Sequence, residues 1–432
     1  MSSLAATMAA FYLWLRPASQ LELTATDATT AKANGSAGQI PVKAIQKPQP
    51  EIKRVPREYP DINTIRNAIP AHCFKPSLWI SCGYLVRDII FIAALAYAAI
   101  TYIPSIDDAR LRGAAWVAYG FVQGLVCTGL WILAHECGHG AFSLYPRVNN
   151  VIGWAAHSFL LVPYFSWKYS HARHHRFTGH MEKDMAFVPR TEKEHKERRI
   201  FGVRVENDLF EDAPIVALVR LLSHQLFGWQ AYLFFNVTCG PDSLQREPTK
   251  WWPQSHFDPM SAIFRPSERL FVFITDIGIL ITAAMIYYGA TIFGGWTMFL
   301  LYGVPYFWVH HWLVAITYLH HTHPDLPHFD AENWSYVKGS LATVDRDFGF
   351  IGRYLFHGII ETHVVHHLFA RIPFYYADEA TEAIKPILGD LYHCDHSFLD
   401  QLWPTFNECK YVVPVDEVPG EMYWAHTVKK SQ

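Results

Sequence analysis

Charge is scarce in this chain. Asp, Glu, Lys and Arg make up 17% of its 432 residues, where a soluble domain carries roughly a quarter. Hydrophobic residues make up 51%, and they concentrate in two blocks, 84–134 and 270–319. The deficit and the clustering exclude one large water-soluble core and point to membrane helices. Cysteine pairing is also missing. The seven cysteines form no CxxC motif, and Cys127 and Cys137 lie in or beside an apolar run, which excludes a disulfide framework or a thiolate zinc site as the organising feature. With a net charge of −3, no global basic field attracts nucleic acid. The apolar run Met1–Leu15 has no Lys or Arg ahead of it, as a secretory leader would need; it reads as a weak interfacial segment. Residues 16–60 show no periodicity, so 1–60 is expected to be a disordered, variable N-terminus.

The apolar blocks resolve into four spanning segments at about 84–103, 114–134, 270–293 and 296–319, each near the ~20 residues a helix needs to cross a bilayer. The connections 105–112 and Gly294–Gly295 are too short for domains, so the segments form two hairpins. Arg87 and Asp88 fall near the start of the first, where an interfacial position is expected. Val151–Phe165 and Ile215–Phe235 read as interfacial or re-entrant helices. Two hairpins put both termini and residues 135–269 on one side. That side holds Lys53, Arg54, Arg57, Arg66, Lys75, Lys168, Arg173 and Arg176, against Arg110 and Arg112 opposite. The positive-inside bias therefore places it in the cytosol. The ending Lys429-Lys430-Ser431-Gln432 resembles a dilysine retrieval signal, which implies the endoplasmic-reticulum membrane.

What the chain has in excess is histidine, 24 residues, and three clusters stand out: His135-Glu-Cys-Gly-His139, His171-Ala-Arg-His174-His175 and His363-Val-Val-His366-His367. Positions i, i+3 and i+4 share a helix face, so each cluster is expected to aim its imidazoles at one point. One HxxxH should arise by accident about once in such a chain, whereas one HxxHH should do so fewer than ~0.1 times. Two HxxHH clusters on the same side of two membrane hairpins point to metal chemistry. Imidazole suits Fe, Zn, Cu and Ni alike, but eight histidines exceed the three or four protein ligands of one zinc, so two metals are the simplest reading. A ninth candidate is His321, with His320 and His323 competing; His310 and His311 lie deeper in the last span. Glu136, Asp184, Asp345, Asp347 and Glu361 are candidates to hold ligand N–H groups, and Cys137 is expected to pack away from the His135/His139 face.

The order HxxxH, HxxHH, HxxHH around two hairpins resembles the membrane fatty acid desaturases. Three stretches are similar to the acyl-lipid delta-12 (oleate) desaturases of fungi and plants. They are Leu161-Val-Pro-Tyr-Phe-Ser-Trp-Lys-Tyr-Ser-His171, Thr317-Tyr-Leu-His-His-Thr-His-Pro324 and Ala342-Thr-Val-Asp-Arg-Asp-Phe348. The likeness implies an all-α integral membrane fold: four transmembrane helices in two hairpins, with a helical cytosolic cap holding a di-iron site. The desaturase domain would cover 61–400 and a cytosolic tail 401–432. It implies the ligands His135, His139, His171, His174, His175, His321, His363, His366 and His367 and two iron ions. The implied reaction is O2-dependent formation of a cis double bond in a membrane-lipid acyl chain, oleate to linoleate. There is no His-Pro-Gly-Gly stretch of a haem domain and no GxGxxG fingerprint. The implied electron donors are therefore a separate b-type cytochrome and its reductase. An omega-3 desaturase, an acyl hydroxylase or an acetylenase on the same scaffold stays open. A more distant alternative is a membrane zinc protease, because His135-Glu136-x-x-His139 fits HExxH; it leaves both HxxHH clusters without a role.

Overall fold

A computed structural model of the chain describes residues 56–197, 213–248 and 254–426, with short strand pairs at 199–200 and 203–204. The Met1–Leu15 run, most of the expected disordered N-terminus and the dilysine ending lie outside the described residues. The helices that position the site are α1 Leu78–Tyr102, α2 Ala109–His139, α3 Pro146–Phe159, α4 Tyr164–Phe177 and α5 Pro214–Phe235. They are followed by α6 Arg269–Phe293, α7 Val304–His321, α8 His363–Leu368, α9 Phe374–Leu388 and α10 Leu402–Glu408. Strands are few and short. Val412–Pro414 and His328–Phe329 flank Glu421–Trp424 in an antiparallel sheet, and Asp345–Arg346 runs parallel to Cys394–Asp395. The expected C-terminal tail thus contributes strands to the cap.

Four helical stretches are long and apolar enough to cross a membrane: Leu78–Tyr102, Ala109–His139, Pro266–Phe293 and Gly295–His321. Their surfaces say which face lipid. Ile89, Ile90 and Tyr97 on α1, and Leu280, Met285 and Tyr288 on α6, are exposed. So much contiguous apolar surface would be costly in water and costs nothing against hydrocarbon. In contrast, α2 is covered along most of its length and packs against α1, α3 and α7. It runs down the centre of the bundle.

Local chemistry sets the boundaries. The Ser77 hydroxyl caps α1, whose first residue, Leu78, lies six positions before the expected start. Arg87 and Asp88 therefore fall inside the helix and not at its mouth. Asp88 is buried there, bonded by Arg87 (2.9 and 2.8 Å) and by His357 Nε2 (2.8 Å). The carboxylate of Asp108 caps α2, and Gly140, at φ 76°, ends it. This carries α2 past the expected end at 134 and puts the first histidine pair on its last turn. The apolar run 151–165 is not one helix. It breaks at Leu160–Pro163, with Leu161 at φ 54°, because Pro163 removes a donor and restrains the residue before it. A new helix, α4, starts there, carrying the second cluster.

Candidate metal centre

Nine imidazoles from α2, α4, α7 and α8 converge at one end of the bundle. One ring nitrogen from each of His135, His139, His171, His175 and His366 lies within 4.8 Å of the others. Among them His135 Nε2 is 3.0 Å from His171 Nε2 and 3.2 Å from His139 Nε2, and His175 Nε2 is 3.0 Å from His171 Nε2. His174, His321 and His367 form a second such group, with His174 Nε2 3.2 Å from His321 Nε2. His363 Nε2 adjoins it, 3.1 Å from His367 and 3.4 Å from His321.

The expectation that each box aims at one point is corrected here. Neighbours on a helix diverge by about 100°, so HxxHH splits between the two groups. In α4, His171 and His175 face the first group and His174 the second. In α8, His366 faces the first, while His363 and His367 face the second. His175 and His367 stack between them, centroids 4.1 Å apart and rings 8° from parallel. One short helix with this motif can therefore serve two ions at once.

The tautomers can be read from the outer contacts. Asp184 Oδ1 accepts from His174 Nδ1 at 2.7 Å. Thr178 Oγ1 donates to the carbonyl of His174 (2.7 Å), so towards His367 Nδ1, 3.0 Å away, it acts as acceptor. Both histidines thus carry their proton on Nδ1 and present an Nε2 lone pair inwards. Lone pairs facing one another repel, and a cation between them removes the conflict. His366 Nε2 is buried without a hydrogen-bond partner, the state expected of a group built to ligate. Burial, then the neighbouring imidazoles, pushes His171, His175, His363, His366 and His367 well below the ordinary imidazole range. They are neutral at physiological pH, as metal binding requires. The donor set fits a pair of transition-metal ions.

Other predicted residues sort clearly. Asp345 holds α8 through Val364 N (2.7 Å) and takes the Tyr392 hydroxyl (2.7 Å); burial pushes its carboxyl up to about 7. Glu361 accepts from Phe348 N, and Asp347 from Gly349 N; neither hydrogen-bonds a cluster imidazole. Glu136 Oε1 lies 3.5 Å from His135 Nδ1, and its other oxygen accepts from Phe374 N. Its carboxylate is tied to the backbone of α9, and a lone HExxH reading leaves the seven other clustered imidazoles without a role. His320 donates to Val344 O (2.6 Å) and stacks on His363, while His323 lies outside both groups. His310 is held by Gln230, and His311 packs on Trp308 and Trp312. Cys137 packs with Phe142, Tyr164 and Phe165. Sequence reasoning missed Thr178, four residues after His174, and the stacking of Trp131 on His135 and Trp167 on His171. The i+4 position of Thr178 was a usable signal; the tryptophans, i−4 from their histidines, were another.

A cleft of about 10 Å3 reaches His366 between α2 and α9, lined chiefly by Ile132, Ile359, Ile372 and Phe374, with Glu136 and Thr362.

Residues 114–398 match the family model described as fatty acid desaturase. The chain is 45% identical over 376 residues to an oleate hydroxylase of Claviceps purpurea, covering 83% of this chain and 78% of that protein. It is 44% identical over 369 residues to an omega-6 fatty acid desaturase, endoplasmic reticulum, of Brassica juncea (84% and 91% covered). It is 43% identical over 359 residues to a delta(12) fatty acid desaturase of Mortierella alpina (81% and 88%).

Proposed function

The chain belongs to the fatty acid desaturase family, and from that premise we propose that it converts a lipid-borne oleoyl chain to linoleoyl by delta-12 desaturation. The observation that carries this reading is the gathering of nine imidazoles into two adjoining groups at the end of a membrane bundle. His135, His139, His171, His175 and His366 would hold one iron, and His174, His321, His363 and His367 the other. Bound there, the iron pair supplies the O2-derived oxidant that an unactivated C–H bond demands and no side chain provides. In the overall reaction the chain loses two vicinal hydrogens; O2, two electrons and two protons complete the conversion to two waters. The protein's own share is positional. Asp184 and Thr178 fix the ring orientation of His174 and His367. Trp131 and Trp167 wall off His135 and His171 from water. Electrons would come from a separate b-type cytochrome and its reductase. Residence in the endoplasmic reticulum with both termini cytosolic is supported by the positive-inside bias, and the Brassica juncea relative carries that compartment in its name.

A second reading, hydroxylation of the same oleoyl chain, is favoured by the Claviceps purpurea relative. One experiment decides between them: expression in a yeast that makes only monounsaturated fats, followed by lipid analysis. Linoleate supports desaturation, a hydroxylated chain supports the second reading, and no new acid from accumulated protein overturns both.

A further inference from the structure

Outside the nine imidazoles, the described residues bring together one more set of metal-ligating side chains: His72, Cys73 and Glu379, whose donor atoms lie within 4.8 Å of one another. His72 Nε2 is 2.9 Å from Glu379 Oε2 and 3.7 Å from Cys73 Sγ. The cysteine is fully buried, while the imidazole and the carboxylate are about half exposed. No CxxC spacing announces such a group, because Glu379 stands 307 positions after His72.

The fold holds these donors in place. His72 and Cys73 sit in the tight turn Ala71–Phe74, just ahead of α1, and Glu379 sits on α9. The turn is docked by several contacts. The His72 ring meets Tyr376 edge-on with centroids 5.2 Å apart, Phe74 meets Phe369 in the same way at 5.8 Å, and the amide of Ser77 donates to the Tyr375 hydroxyl at 2.6 Å. Tyr375, Tyr376 and Glu379 are neighbours on one side of α9, because residues three and four apart share a helix face. Cys73 is buried in one apolar cluster with Val364, Val365 and Leu368 of α8 and Ala380 of α9.

A surface His–Glu pair explains the 2.9 Å contact alone. It does not explain the sulfur. One nitrogen faces both other donors, and a single proton there serves one of them, whereas a cation is shared by all three. Zinc bond lengths at tetrahedral angles set edges of about 3.3 Å between N and O and ~3.6 Å between N and S. The 2.9 and 3.7 Å seen here come within about half an ångström of these edges, a shift that half-exposed side chains can supply. We propose that His72, Cys73 and Glu379 form a zinc-class cation site distinct from the paired centre, with water completing the shell on the exposed side. Thiolate, imidazole and carboxylate together suit Zn2+. Binding exchanges a proton for the metal: the S–H bond breaks, a Zn–S bond forms, the proton leaves to solvent and no electron moves. The ion ties the turn before α1 to α9, beside the short helix that carries the third histidine cluster.

The test titrates the full chain in detergent with Co2+, a spectroscopic stand-in for Zn2+. Thiolate ligation gives a sulfur-to-cobalt charge-transfer band in the near ultraviolet, and an all-imidazole site gives none, so the signal is blind to the paired centre. The band should appear at micromolar Co2+ and be displaced by Zn2+. Cys73→Ser should abolish it, and Cys394→Ser, at the exposed cysteine, should leave it unchanged. His72→Ala and Glu379→Gln alter half-exposed side chains and leave the core intact, so they carry the test even where Cys73→Ser fails to fold. Each should weaken Co2+ binding, read from the band, at least tenfold. Absence of the band at micromolar Co2+, its survival in Cys73→Ser, or less than tenfold weakening in either exposed variant overturns the proposal and leaves an ordinary surface ion pair. The readout does not depend on turnover, so it stands or falls apart from the desaturase reading.

Discussion

At the scale of single residues, the centre depends on groups that never touch a metal. Asp184 is the clearest. One oxygen accepts from His174 Nδ1 and from the amide of Ala186 at 2.8 Å, and the other from Gly179 N. Fixed by the backbone, the carboxylate in turn fixes a ring. In Asp184→Asn the charge is lost, and the amide offers either a donor or a weaker acceptor. Loss of such an outer partner typically lowers metal affinity by roughly 10- to 100-fold. Iron per chain, measured after dialysis against a mild chelator, should fall towards one, and linoleate should fall with it; two retained irons would remove Asp184 from this role. Thr178 makes a graded companion. Thr178→Ser keeps the acceptor for His367 Nδ1, whereas Thr178→Val removes it and leaves a buried N–H unpaired at a cost of about 1–3 kcal/mol. Product yield should follow the order native, Ser, Val.

At the scale of elements, packing decides what the histidines can do. Gly129 on α2 lets the turn before α8 approach. An added Cβ there would collide with the carbonyl of Leu355 and crowd Asp88 and His357. Backbone cannot yield as a flexible side chain does, so Gly129→Ala should destabilise by about 1–3 kcal/mol. Gly113, in the first turns of the same helix, meets nothing within 4 Å; Gly113→Ala should be neutral or mildly stabilising. Thermal unfolding of the two variants in detergent compares them, and equal midpoints would refute the packing argument. The same contact ties α1 to the third histidine cluster through Asp88 and His357, a link invisible in the chain because the partners stand 269 positions apart. The sequence carried the four spans, since length and hydropathy are local properties. It also carried the gathering of the three boxes at one site, since their histidine spacings are legible locally, but not the aim within each box. It did not carry the split of each HxxHH between two groups, because that depends on which neighbouring helix meets each face. Nor did it carry the cap sheet, whose strands are two to four residues long and pair His328–Phe329 with a segment near the C-terminus.

For the molecule as a whole, proton uptake opposes the folded, metal-holding state. Burial holds His171, His175, His363, His366 and His367 neutral in the fold, whereas in an unfolded chain each would take a proton near pH 6.5. Below that pH the unfolded state binds more protons than the native state, so stability falls as pH falls, by about 1.4 kcal/mol per unit for each such group. Two carboxyls pull the other way. Asp345 and Glu361 are raised to about 7 in the fold, so their stabilisation is complete only below the ordinary carboxylate range and is lost as pH rises through about 7. Counting these seven groups, between pH 4.5 and 6.5 the native state holds two extra protons on carboxyls and lacks five on imidazoles, and the imidazoles win. Iron held there would sharpen the trend, because each ligand proton competes directly with the metal. Iron retention by the purified protein should hold at pH 7.5 and collapse steeply between about 6.5 and 5, with unfolding following the metal. Retention that fell as pH rose over this range would mean that the carboxyls, and not the buried imidazoles, dominate the proton balance of the centre.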